Sequence, residues 1–561
     1  MEMTFAYGRR SSIVREPAGL AISLSPNLRR DRVSFNGTLR SPLRFREAIS
    51  ALHDVVINDM RYKPRDKSDY EAYLAQEKER ERAIHQTVAR ETKAQIEARR
   101  KQPIPVGLEA DFRQSRTLYW KARDQYSNYL SRHDPELWRM LVPCDPVITV
   151  APDVLFFECF SVDESSYGCL TVARDAFTTE QDVALGTTNV DYSWSLYEHF
   201  QNLRSYRETK FLVDPAGFEV HTTEAEGYRE EKIDLPSSWL RGFMQLQSAM
   251  SLPMRRVPVS REGLYNVVAW LKRHKAARSP RAVRFELNPG QPVAIVLEPW
   301  EKRITLHSTP YAGPRAETIR VWGRDRLRVL ARLLPLAEGA DVYLLGTGLP
   351  SFWVVRMGEM QLTLGLSGWT TNDWTSASAL DQLAPPGTVD EATLTQIASV
   401  FRSDTSQSFE QLREHTNLAP PNLLAGLNRL ALLGQVIHDL PAGVYRWRQV
   451  MPTPLTNEQI GPENVETVEG RELLRRNRVK VTRDEQTPSG LRLLAGQAEN
   501  RPVELLLNGD GHMVRGKCTC SHHFTGGLRR GPCRHLQALR NKVLAGNKSA
   551  TLGVWFDSLW K

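Results

Sequence analysis

Cys518, Cys520, Cys533 and His535 are the residues whose types and spacing most directly permit chemistry. They fall as Cys-x-Cys, a loop over residues 521–532, then Cys-x-His. Three thiolates and an imidazole are the ligands a structural Zn²⁺ ion takes in a tetrahedron. On an extended strand, Cys518 and Cys520 point to one face and can grip one ion. Pro532 suits the first turn of a helix, which puts Cys533 and His535 at its start. There the helix dipole and nearby arginines favour a Cys533 thiolate. With all four positions supplied by protein the site is closed, and no metal-bound water is left to act as a nucleophile. One structural zinc and no catalytic residue are therefore expected. His522 and His523 leave an alternative open: either could replace His535 or contact phosphate, or both are exposed loop histidines.

The charge around this site points to a polyanion. From Gly511 to Phe556 there is no Asp or Glu, while Arg515, Lys517, Arg529, Arg530, Arg534, Arg540 and Lys542 are all present. A small, acid-free, arginine-rich finger suits phosphate contact. The bland alternative is a zinc staple with a solvated basic surface that binds protein.

The elements that must carry the ligands are readable upstream. A linker over Thr453 to Glu466 precedes the basic segment from Gly470, and strands are expected at Leu491 to Gln497 and Val503 to Asn508. A turn, Asn508-Gly-Asp-Gly, then leads into Met513-Val-Arg-Gly and the cysteines. The phrases Lys517-Cys-Thr-Cys-Ser and Gly531-Pro-Cys-Arg-His-Leu-Gln-Ala-Leu closely resemble the SWIM zinc-finger family, over about 80 residues. The resemblance implies a small sheet followed by the Cys-x-Cys and Cys-x-His pairs. Bacterial SWIM proteins often accompany helicase-like or AAA-type ATPases, so it also implies an ATPase or helicase-like partner.

Residues 388–450 are expected as a second module. Asp390 can cap a first helix, Ser408-x-x-Gln411 forms a capping box for a short second one, and a third runs from Asn422 through Leu433 to Gly434. A two-stranded ribbon follows. This order, with the phrase Leu427-Asn-Arg-Leu-Ala-Leu-Leu-Gly-Gln-Val-Ile, resembles a winged helix-turn-helix. In its DNA-binding members the third helix enters the major groove. The outward face of that helix is expected to offer Asn422, Asn428 and Arg429, and the wing Arg446 and Arg448.

The rest of the chain shows organisation but no site. Residues 1–62 are expected as a small α+β unit with an amphipathic helix from Phe45 to Met60. Residues 63–141 are expected as a charged helical arm over 66–101 and then a helix from Glu109 to Leu141. Its aromatics, Tyr119, Tyr126, Tyr129 and Trp138, are either a core stripe or a stacking surface for bases. The block 142–380 reads as strand-rich α+β. The order strand–loop–strand–helix–strand follows both Gly217 and Lys302, so a duplicated domain is open. Gly346-Thr-Gly-Leu-Pro-Ser lacks the Gly-Lys-Ser/Thr end of a phosphate loop, and Ser367 lacks the second glycine of a nucleophile elbow.

Bulk properties set the frame. At 561 residues, several domains are required. An apolar content of 41% excludes a fully disordered chain. No run of about 18 apolar residues occurs, so no membrane span is expected, and the first ten residues carry no signal core. Six cysteines, half of them in the metal motif, fit a reducing cytoplasm. The expectation is thus a cytoplasmic, multidomain α+β protein ending in a winged helix-turn-helix and a SWIM-type finger (465–548). It is expected to be non-enzymatic and to bind nucleic acid, DNA before RNA. The competing expectation is a protein–protein adaptor in an ATPase-associated complex.

Overall fold

The computed structural model describes parts of 5–56, 146–161, 163–190, 200–213, 230–232 and 237–313. It also covers 316–368, 374, 389–450, 465–507, 513–526 and 531–546, apart from isolated positions, and scattered positions from 111 to 129. The helical arm over 66–101, most of the helix expected over 109–141, and Arg529 and Arg530 lie outside the described residues. Residues 59–142 form a compact unit of their own, and 1–58 with 143–561 form the other.

The sheets run antiparallel throughout, except where Glu208–Val213 pairs in parallel with Gly19–Leu24. An eight-stranded sheet has the order Arg255–Ser260, Gly339–Leu344, Ser351–Met357, Met360–Leu366, Ser166–Ala173, Val154–Phe160, Val147–Val150 and Gly186–Asn189. Its central strands are buried throughout, so they read in sequence as apolar runs rather than as alternation.

Helix α1 (Pro42–Val56) packs on this sheet through Phe45, Ala48, Ile49, Leu52 and Val55. Proline opens it, where no N–H is needed. The strand Ser34–Leu39 leading into α1 lies between Glu208–Val213 and Phe177–Ala184. Residues 1–62 are therefore not a separate unit. Their apolar helix face is covered by strands from beyond residue 146.

Helix α2 (Ser237–Met250) precedes the strand Arg255–Ser260, which runs straight into helix α3 (Arg261–Arg273). Ser260 caps α3, accepting the Gly263 N–H at 3.2 Å. A four-stranded sheet with order Lys302–Pro310, Pro292–Leu297, Val283–Leu287 and Glu317–Val321 follows. Where the order that follows Lys302 calls for a helix, the chain forms a 3₁₀ helix, Arg324–Leu333, entered through Gly323 at φ 84°. The first copy of the order read in the sequence begins at Gly217, outside the described residues; among the described residues a strand feeds directly into a core helix at Ser34–Leu39/α1 and at Arg255–Ser260/α3. Both helices pack against the 3₁₀ helix.

Beyond residue 389 come helices α4 (Glu391–Val400), α5 (Phe409–Thr416) and α6 (Pro420–Leu432). Asp390 accepts the Thr393 N–H at 2.8 Å and the Ser408/Gln411 capping box is formed, both as expected. The strand Ser406–Ser408, not expected from sequence, completes a three-stranded sheet with Val444–Trp447 and Val436–Asp439. The last segment is helix α7 (Val465–Arg475), a four-stranded sheet, helix α8 (Ser521–Gly526) and helix α9 (Arg534–Gly546). That sheet has the order Val479–Gln486, Arg492–Ala498, Arg501–Leu507 and Met513–Cys518, so it begins with a strand that is not expected from sequence.

Candidate metal centre

The strand Met513–Cys518 ends on the first cysteine, and Cys520 follows as the chain leaves the sheet for α8. Helix α9 starts at Arg534, with Cys533 immediately before it and His535 in its first turn. The segment has its own core. Leu536 and Leu539 of α9 pack with Leu494, Val503, Leu505 and Leu507 of the sheet, and the three cysteines belong to the same cluster. Sheet end and helix start are thereby brought face to face.

The ligand atoms of Cys518, Cys520, Cys533 and His535 lie within 4.8 Å of one another, and all four residues are buried. The Cys518 Sγ to His535 Nδ1 distance is 3.7 Å. Metal–sulfur and metal–nitrogen bonds at zinc lengths give a tetrahedral edge of about 3.6 Å. The four residues can hold one metal ion, and the donor set is that of a structural zinc. Neither His522 nor His523 is among the gathered ligands.

Ionisation within the cluster is uneven. Hydrogen bonds from Cys533 and then His535 pull the Cys518 thiol down to about 3. Cys533 is pushed up by that same hydrogen bond and then by burial, and burial raises Cys520. With no cation among them, negative charge falls first on Cys518. Three crowded thiols cannot all ionise side by side unless a cation lies between them. The Cys520 Sγ also accepts the His523 N–H at 3.4 Å.

A second tier of residues is not apparent in the local sequence. Glu499 places Oε2 3.4 Å from His535 Nε2, near enough to approach a metal-bound imidazole but without a hydrogen bond to it. Glu466 of α7 accepts the Arg534 backbone N–H at 2.7 Å and its guanidinium at 2.9 and 3.2 Å. Burial works to raise the Glu466 carboxyl, but the Arg534 hydrogen bonds outweigh it and hold it below its usual range. Glu469, three residues on, pairs with the same guanidinium. The stretch to Glu466 is therefore not all linker. The signal that could have found this pair is Glu466 and Glu469 sharing one face of a helix that begins at Val465.

The expected phosphate-binding residues divide sharply. Arg515 and Lys517 are exposed on the strand that ends in Cys518. Arg534 is engaged by two carboxylates that α7 supplies, which the acid-free window around the cysteines could not reveal. Lys542 donates to the Val479 carbonyl at 2.6 Å and to Asn477 at 3.3 Å. Arg540 is 4% exposed, and burial lowers it to about 10.

In the helical module, Arg429 is half-buried. Arg446 is bound by Asp439 at 2.8 Å and by Asp153 at 2.6 and 2.8 Å. Arg448 is buried against Glu158, at 3.0 Å through Nε. Both arginines point into the protein, so neither is a wing contact to phosphate. Asn428 is also turned inward: its amide donates to Ser248 and Ser251 of the α2 region at 2.8–3.3 Å. Helix α6 packs on α2, and the His438 ring bonds the Met250 carbonyl at 2.7 Å. The face of α6 expected to point outward is thus covered by protein at Asn428.

No protein-family model matches the chain, and no curated protein matches it. Solved structures with some likeness include the Proliferating Cellular Nuclear Antigen of Entamoeba histolytica, at 13% identity and TM-score 0.28, over 40% of this chain and 89% of that one. The corresponding protein of Thermococcus kodakaraensis matches at 12% identity and TM-score 0.26, over 40% and 90%. Likeness at these scores bears on neither fold nor function. Among the described residues, no helix is long and apolar enough to cross a membrane.

Proposed function

We propose that this chain is a non-enzymatic, SWIM-type zinc protein whose C-terminal module contacts nucleic acid, with DNA favoured. The observation that carries the reading is the four-ligand cluster at the end of the strand bearing Arg515 and Lys517. A closed Cys₃His site supplies rigidity rather than a reactive water. It fixes the end of that strand, and with it a basic edge. Phe524 of α8, 88% exposed, adds an aromatic face that a base can stack on. Arg529 and Arg530 follow in the sequence.

A second reading is favoured by one observation. The winged-helix-like module uses its third helix to pack on α2. That is protein recognition within one chain, and it supports an adaptor role, with an ATPase or helicase-like protein as the partner the SWIM resemblance implies.

The deciding measurement is a salt titration of duplex DNA binding by the zinc-loaded full-length protein. Changing Arg515, Lys517, Arg529 and Arg530 to Ala should weaken binding. It should also make the log–log salt slope shallower by about 3 to 4, near 0.9 for each phosphate that is no longer neutralised. Unchanged affinity and slope would favour the adaptor.

A further inference from the structure

A different surface, far in sequence from the cysteines, combines aromatic rings with unmatched positive charge. Trp270 and His274 lie one helical turn apart at the C-terminus of α3, and their rings stack at 3.9 Å and 14°. Trp300, in the turn before the strand Lys302–Pro310, meets both edge-on, at 6.3 and 5.9 Å. All three are only half-buried. The Lys302 ammonium lies 5.2 Å from the Trp270 ring centroid, and the Arg324 guanidinium 4.5 Å from that of Trp300.

The charges here do not cancel. The neighbouring acids already have partners: Glu286, Glu298 and Glu301 with Arg284, Arg303 and Arg320, and Asp325 with Arg328. Among the described residues, Arg273, Lys275, Arg281, Lys302 and Arg324 have no ion pair. Arg273 also complements the helix dipole at the end of α3, but the other four have no such role. Arg324 is the decisive one. It is 1% exposed, and among the described residues none of its three guanidinium nitrogens has a hydrogen-bond acceptor. A guanidinium buried for structural reasons alone would be met by acceptors, because leaving its donors unpaired is costly. This one has the Trp300 ring against it, and the acids that attract it, Asp325 and Glu298, are already paired with other arginines.

We propose that the Trp270–His274–Trp300 ledge binds single-stranded nucleic acid. Bases stack on the rings, and the phosphates lie along Lys275, Arg281 and Lys302. Half-exposed aromatics among cations are the combination that grips single strands without sequence preference. An acidic polypeptide would need the cations but not the rings. The site is separate from the zinc module and does not depend on it.

The test uses full-length Cys533→Ser protein, so that any contribution of an intact metal site is removed. A labelled oligothymidine of about 16 nucleotides is followed by anisotropy and by tryptophan fluorescence. Binding should persist and quench the fluorescence. Lys275→Ala/Arg281→Ala/Lys302→Ala should weaken it and make the salt slope shallower by about 2, near 0.7 per phosphate on single strands. Trp300→Ala should cost about tenfold in affinity, and Trp300→Phe should restore most of that. The proposal is overturned if Cys533→Ser protein does not bind, if the triple variant is unchanged, or if polyglutamate of equal charge competes as well as the oligonucleotide. Binding that is lost with Cys533→Ser but insensitive to the ledge variants in zinc-loaded protein would overturn this proposal and leave the zinc-module reading standing.

Discussion

His53 shows how one side chain couples the main core to pH. It sits in α1, 1% exposed, where burial and then Arg332 push its pKa down to about 4. The unfolded chain binds that proton near pH 6.5 and the folded chain does not. Its contribution is thus neutral above pH 6.5 and becomes a loss of stability as pH falls toward 4. Between pH 8 and pH 5 the loss amounts to about 2 kcal/mol. His438, half-buried and also lowered, titrates in the same direction. Urea midpoints at the two pH values should therefore differ, and His53→Leu should remove about 2 kcal/mol of that difference. An unchanged difference would show that His53 is protonated in the folded state.

At the scale of elements, the contact between the three-helix module and the eight-stranded sheet rests on buried charge. Arg448 and Glu158 are both 0% exposed, and Tyr167 donates to the same carboxylate at 2.6 Å. With its amide turned to satisfy both ends, Gln247 accepts from Arg448 at 2.6 Å and donates to the Ala431 carbonyl at 2.7 Å. One network therefore joins Arg448, just past the strand Val444–Trp447, with α6, α2 and the sheet. Arg448→Met would leave the Glu158 charge buried alone and should cost about 3–5 kcal/mol, read as a lower urea midpoint. Adding Glu158→Gln should recover part of it, since a neutral amide still accepts from Tyr167.

This network also marks where the sequence stops being legible. The capping box and the Asp390 cap are local, and their partners lie three residues away, so both can be read directly. Asp439 lies only seven residues from Arg446, but Asp153 and Glu158, which turn Arg446 and Arg448 inward, lie 293 and 290 residues away. An arginine on a short ribbon looks like a solvent contact until those partners are known. Asn428 escapes sequence reasoning for the same reason. A polar residue on a helix implies solvent only if nothing packs on that face, and α2 does.

At the scale of the whole molecule, the metal-ligating segment is set apart by how its stability arises. The main core is a large apolar cluster drawn from residues 22 to 366. The C-terminal core is small, and the three thiols are part of it. A core of that size supplies little stability alone, whereas binding of a structural zinc contributes on the order of 10 kcal/mol. The two cores should therefore respond differently to metal removal. On addition of a strong chelator, protection from hydrogen exchange should be lost over residues 465–546 and retained over α1, α3 and the eight-stranded sheet. Cys533→Ser should reproduce that pattern without chelator, and metal analysis should find less than one zinc per chain. Full zinc occupancy in Cys533→Ser would remove Cys533 from the ligand set. Loss of protection across both cores together would mean that the metal supports the whole chain rather than its last segment.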